Sequence, residues 1–167
     1  MEAVNHAANM RHLWNIISDK QTLWVQWGKL NLTRERNIWK IKTPPDCSWS
    51  WRSILKERNK ATTIAIHCIG DGQRTKFWLD PWLGTGTLQD QFLEVHDSLC
   101  NKNVRVASMI TNGRWTFPKH IRVHIQEIAR QAEEYIQIGG GADEVVWTPS
   151  MHGEFNLKDT YEAIRKT

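Results

Sequence analysis

Ile69-Gly70-Asp71-Gly72-Gln73-Arg74-Thr75-Lys76-Phe77-Trp78-Leu79-Asp80-Pro81-Trp82 carries the sharpest change of pattern in the chain. Residues 62–69, leading into it, are β-branched and apolar, the composition of a strand. Gly70-Asp71-Gly72 is a turn signal, with Asp71 read as a turn residue rather than a metal ligand. Over residues 74–79, Thr75, Phe77 and Leu79 alternate with Arg74, Lys76 and Trp78, the period-two pattern of a second strand. The spacing predicts a β-hairpin over 62–79, ended by Asp80-Pro81-Trp82.

Toward the N-terminus the grammar is helical. Met10, Leu13, Trp14 and Ile17 fall on one face of a helix over 3–18. Thr22 is placed to cap a second short helix bearing Leu23, Trp24, Trp27 and Leu30. Residues 34–39 read as basic and either extended or irregular. Thr43-Pro44-Pro45-Asp46 breaks the chain, because proline lacks a donor and restricts its predecessor. Ser48 or Ser50 then starts a helix to about residue 61, with Arg52, Lys56, Arg58 and Lys60 on its exposed face.

Toward the C-terminus, residues 88–103 are poorly patterned and 104–110 form a short strand or helix. Asn112-Gly113 followed by Arg114-Trp115-Thr116-Phe117-Pro118 reads as a turn into a short strand. A long amphipathic helix is predicted over 120–138, with Ile121, Ile125, Ile128, Ala132 and Tyr135 or Ile136 on its apolar face. Gly139-Gly140-Gly141-Ala142-Asp143 reads as a flexible linker. Beyond it lie a strand at 144–147, a turn at 151–153, a strand at 154–157 and a helix capped by Asn156, with Asp159 three residues on. The fold class is therefore α+β: a helical N-terminal part with a small hairpin, a long amphipathic helix and a truncated β-β-α tail. The tail is expected to be loosely docked or disordered, since chains below roughly 40 residues seldom fold unaided.

With 40% hydrophobic and 24% charged residues in a 167-residue chain, a folded domain is the default rather than disorder. A formal charge of +4 permits contact with a polyanion without requiring it. Cys47, Cys68 and Cys100 are far apart and without metal-finger spacing. They read as small buried hydrophobes in a reducing, intracellular setting. No signal sequence or membrane span is expected.

Catalytic chemistry finds little purchase. The glycine run follows a helix and lacks the Lys-Ser/Thr of a phosphate loop. His120 and His124 have zinc-compatible spacing but no accompanying glutamate base, and read as solvated. Asp80 and Asp90 are single carboxylates, whereas a two-metal site needs a cluster. No cofactor is implied, and a remnant nuclease is disfavoured. What remains is ten tryptophans interleaved with cations. Trp49, Trp51 and Arg52 open a basic helix, while Arg74, Lys76, Trp78 and Trp82 lie in or beside the hairpin. Such residues grip phosphates and stack bases, so Arg52, Lys56, Arg74, Lys76, Trp78 and Trp82 are the candidate contacts. The competing expectation is that Trp78 and Trp82 seal the hairpin against the helices, as large aromatics more often do.

The order of these runs adds a further expectation. His12-Leu13-Trp14, Leu23-Trp24-Val25-Gln26-Trp27 and Cys47-Ser48-Trp49-Ser50-Trp51-Arg52 come first. They are followed by Ile69-Gly70-Asp71-Gly72 with Phe77-Trp78-Leu79-Asp80-Pro81-Trp82, then Asn112-Gly113-Arg114-Trp115. Last is Asp143-Glu144-Val145-Val146-Trp147 with Gly153-Glu154-Phe155. Together they resemble the region after the polymerase core of plant LINE-type (non-LTR) retrotransposon reverse transcriptases. The final run resembles the start of the reverse-transcriptase zinc-binding domain. The resemblance implies a connector region over 1–138, a linker over 139–143 and a truncated zinc-binding-domain start over 144–167. The family's Tyr-x-Asp-Asp polymerase motif would precede Met1 and its zinc ligands would follow Thr167. The implied protein is thus a non-catalytic fragment whose partners are RNA or single-stranded DNA. The alternative is a tryptophan-rich protein-interaction module adopted by the host.

Overall fold

Side-chain oxygens set four helix starts. Thr22 Oγ1 accepts from the Val25 N–H at 3.3 Å and Ser48 Oγ from the Trp51 N–H at 3.2 Å. Thr87 Oγ1 accepts from the Asp90 N–H at 3.3 Å and Asn156 Oδ1 from the Asp159 N–H at 3.1 Å. Each satisfies a donor that a helix N-terminus leaves unpaired. In the computed structural model, which describes residues 2–92 and 101–166, they start α2 (Leu23–Gly28), α3 (Trp49–Lys56), α5 (Leu88–Gln91) and α8 (Leu157–Arg165). The other helices are α1 (Glu2–Ile17), α4 (Arg58–Ile64), α6 (Lys119–Arg122) and α7 (Gln126–Tyr135). Strands β1 (Ala65–Cys68) and β4 (Glu144–Trp147) pair with each other, as do β2 (Ile110–Thr111) and β3 (Arg114–Trp115). The fold is α+β and helix-rich. Cys100 and much of the poorly patterned run lie outside the described residues.

Two compact units divide the chain, Met1–Ile66 with Val145–Thr167 and His67–Glu144. In the first, α1 buries Ala7, Met10, Leu13 and Trp14 at helical spacing. A π-helical turn, Lys29–Thr33, extends α2 and ends on Arg34 at φ 51°. Leu13, Ile38, Trp51, Ile54 and Leu55 make one core cluster, and Met10, Trp14, Ala65 and Trp147 make another. Trp147 meets Trp14 edge-on, 5.3 Å between ring centroids. Its indole N–H donates to Thr160 Oγ1 at 2.8 Å. The Thr148 N–H donates to the Ile64 carbonyl at 2.9 Å. The expected loose tail is therefore corrected: β4 and α8 are integral to the unit's core, because α1 supplies the apolar face that a short segment cannot supply to itself.

In the second unit Phe77, Trp78, Trp82, Met109, Ile125 and Ile128 anchor the core. The β2–β3 register is Ile110↔Trp115 and Thr111↔Arg114. Its turn has Asn112 at φ 51° and Gly113 at φ 70°, the two positive angles of a tight hairpin turn. The hairpin expected over 62–79 does not form. Residues 62–64 belong to α4, β1 pairs with β4, and Lys76 forms an isolated antiparallel bridge with Arg105. The helix expected over 120–138 is broken between α6 and α7, with Ile125 at φ −124°. Ile125 and Ile128 are buried, while Tyr135 is 68% exposed. Among the described residues no helix is long and apolar enough to cross a membrane.

Candidate nucleic-acid interface

The second unit is organised around one carboxylate. Asp143 Oδ1 accepts from the Gly70 and Gly72 N–H groups, each at 2.8 Å. Its Oδ2 accepts from the Arg74 N–H at 3.0 Å, and from the Thr75 N–H and hydroxyl at 2.9 Å each. Asp143 is buried, not part of a free linker, and Gly139 is tied down by its N–H to the Ile69 carbonyl at 2.8 Å. The Gly70–Thr75 segment is thus an anion cradle filled by the chain's own side chain, not a hairpin turn. Both glycines are required. A Cβ on Gly70 would stand 2.6 Å from the Ala142 carbonyl carbon, and Gly72 sits at φ +72° with Ala107 Cα 2.8 Å from its would-be Cβ. Asp71 does act as a turn residue, accepting the Gln73 N–H at 2.9 Å.

Burial alone would raise the Asp143 pKa. The hydrogen bonds from Gly72, Gly70 and Thr75 outweigh it and hold the carboxyl below its ordinary range. His67 Nε2 is shielded from solvent. Burial lowers the imidazole pKa, against the attraction of Asp80 and Asp143, and the net shift is downward. Both groups weaken the unit in acid. A depressed histidine withholds stability as pH falls below the unfolded imidazole value, about 6.5. A depressed carboxylate contributes fully above the unfolded carboxyl value, about 4, and loses that contribution as pH falls through its folded value. Thermal melts from pH 8 to 3 are expected to show a fall in midpoint from near pH 6.5 and a second below pH 4. His67→Gln should shrink the first fall and leave the second; a wild-type midpoint that is flat between pH 7 and 5 would contradict the assignment.

The cradle presents a basic edge. The bonds Phe77 N–H to Val104 O (2.9 Å) and Val106 N–H to Thr75 O (3.0 Å) flank the Lys76–Arg105 bridge. The two residues therefore form a non-hydrogen-bonded pair, the arrangement that brings facing side chains closest. Like charges so placed repel. An Arg105 Nη1–H donates to the Arg74 carbonyl at 2.9 Å, fixing the guanidinium beside exposed Arg74. The Asp80 carboxylate accepts the Lys76 backbone N–H at 2.7 Å. Among the described residues no ion pair engages Arg74, Lys76 or Arg105.

The sequence-derived contacts separate into two groups. Arg74 and Lys76 lie in the second unit and are joined there by Arg105, which the sequence reading missed. Its only signal was a cation in a short segment of undecided structure. Arg52 and Lys56 lie in the first unit on α3. They share a face with Trp49, which is 75% exposed, at spacings of three and seven residues. An Arg52 Nη2–H donates to the Pro45 carbonyl at 2.8 Å, and Lys56 is exposed. Trp78 and Trp82 are corrected: they are 1% and 2% exposed and offer no ring face to a base. The Trp82 indole donates to the Phe77 carbonyl at 2.8 Å, and its ring stacks on Trp115 at 5.5 Å. His120 lies on α6 and His124 beyond its end, so their spacing does not fall on one helix.

No family model matches the chain and no solved structure matches it. Over 177 residues it is 24% identical to an Arabidopsis thaliana protein named "putative ribonuclease H protein", covering 98% of this chain and 27% of the other. The chain thus spans about a quarter of the length of that relative.

Proposed function

We propose that this chain is a non-catalytic, nucleic-acid-contacting segment of retroelement ancestry. It corresponds to the region after the polymerase core of a plant LINE-type reverse transcriptase, reaching into the start of the zinc-binding domain. The tryptophan runs quoted above support the ancestry, and a plant relative named for a nucleic-acid hydrolase agrees with a nucleic-acid setting. The observation that carries the binding role is Lys76 facing Arg105 across the bridge with Arg74 alongside. Their mutual repulsion is relieved by a phosphate backbone. A nuclease reading has less support, since Asp143 is saturated by five donors and has no lone pair to spare for a metal.

The test is fluorescence polarisation of labelled single-stranded RNA at several salt concentrations. The double variant Lys76→Ala/Arg105→Ala is expected to weaken binding and to lower the slope of log K against log salt by about 1.4, at about 0.7 per phosphate contact on a single strand. An unchanged slope would remove the basic edge from the interface. A second reading, the protein-interaction module, is favoured by Leu23, Trp27 and Leu30, which are 85%, 53% and 65% exposed. They recur at helical spacing along α2 and its π-helical extension. That reading predicts binding indifferent to salt.

A further inference from the structure

A cleft of about 310 Å³ opens in the first unit. Its volume falls at the small end of ligand sites, which suits one compact planar ligand rather than an extended one. Helix α1 contributes Ala8, Arg11, His12 and Asn15, the face opposite its buried Met10 and Trp14. Trp24 of α2 and Leu157 of α8 close the sides. Ala8 is the smallest side chain of the lining.

The lining combines three chemistries. The His12 and Trp24 rings meet at 4.9 Å between centroids and 48° between planes, making an angled aromatic wall. Arg11 is exposed and, among the described residues, in no ion pair. Asn15 carries an amide with both donor and acceptor. Burial and the adjacent Arg11 lower the His12 pKa, so its imidazole is neutral near pH 7 and can both donate and accept. Thr22, also at the rim, has its hydroxyl oxygen occupied by the α2 cap.

We propose that the cleft formed by α1, α2 and α8 binds a single unstacked nucleotide, the base against the Trp24 and His12 rings and the phosphate on Arg11. Aromatic walls accept any base face, and guanidinium suits phosphate geometry. Asn15 supplies the hydrogen bonding that a base edge requires. This site is separate from the Lys76–Arg105 edge and stands without it. The nucleotide could be free or part of a strand, and both present the same chemistry to the cleft.

The experiment titrates the full chain with AMP and with UMP, following the Trp24 indole and His12 ring signals by NMR, with inorganic phosphate as the control. Both nucleotides are expected to move these signals, AMP more strongly, and phosphate alone far less. Ala8→Leu fills the cleft from an exposed helical position with another good helix former. It and Arg11→Gln should each weaken binding about tenfold with unchanged circular dichroism. Silent Trp24 and His12 signals, or shifts that survive Ala8→Leu undiminished, overturn the proposal. A decauridylate that binds about tenfold better than an abasic decamer identifies a base within a strand, whereas equal affinities identify a free nucleotide. Loss of decauridylate binding in Lys76→Ala/Arg105→Ala with the AMP shifts intact separates the two sites. AMP shifts without any decauridylate binding would refute the strand-binding role alone.

Discussion

Asp143→Ala is expected to destabilise the His67–Glu144 unit by about 3–6 kcal/mol. The substitution deprives the Gly70, Gly72 and Thr75 N–H groups, all buried, of their acceptor. An orphaned buried donor costs about 1–3 kcal/mol, and water entering the vacated space recovers part of this. A unit of this size has a total stability of roughly 4–12 kcal/mol at typical values per residue. The variant is therefore expected to lose a large share of the unit's stability, with its urea midpoint shifted well below that of the unaltered protein. Asp143→Asn keeps the shape but turns an NH2 toward N–H donors, so it should recover only a minor part and should lose the melt's acid step below pH 4. Urea denaturation and amide exchange at 70–75 measure both. A loss under about 1 kcal/mol for Asp143→Ala, small against the expected penalty, would mean that the loop holds its own shape.

Trp147→Ala should cost the first unit about 3–5 kcal/mol, as expected for a large buried aromatic. Trp147 is fully buried, lies edge-on against Trp14 and donates to Thr160. Its loss removes the contact that ties β4 to α1, so amides in both α1 and α8 should lose protection together. Trp147→Phe retains much of the volume but leaves the Thr160 hydroxyl without its donor. It is expected to cost about 1–2 kcal/mol, a hydrogen bond plus a partial cavity. If the α8 amides already exchange freely in the unaltered protein, the docking of this segment is refuted.

The helices were legible where a polar cap met an apolar stripe. Thr22 and Asn156 cap where the sequence placed them, and of the two serines it offered for α3 the cap is Ser48, because capping depends on chemistry within three residues. The Asn112-Gly113 turn was legible for the same reason. The hairpin over 62–79 was misread because Gly-Asp-Gly is equally suited to a local turn and to a cradle. The choice is made by Asp143, some 70 residues away along the chain, where periodicity carries no information. Pairing of β1 with β4 rather than with 74–79 follows the same pattern. For the candidate site, Arg74 and Lys76 were found from charge alternation. Their partner Arg105 required knowledge of the bridge. Trp78 and Trp82 illustrate the limit of aromatic counting: indole stacks equally well on a base or on Trp115, and only burial distinguishes the two.

The first unit is discontinuous in sequence, and this constrains the order in which the protein can be made. Helix α1 is made before α8, which packs on it, and the whole His67–Glu144 unit is made between them. At roughly 5–20 residues per second, Met10 and Trp14 wait on the order of ten seconds for Trp147. The His67–Glu144 unit, contiguous in sequence, can complete its Asp143 cradle before that wait ends. The nascent chain therefore carries one finished unit and one open apolar helix face at the same time. During that interval the α1 stripe is available to chaperones, and a pause in translation beyond residue 144 would prolong its exposure without disturbing the unit already folded.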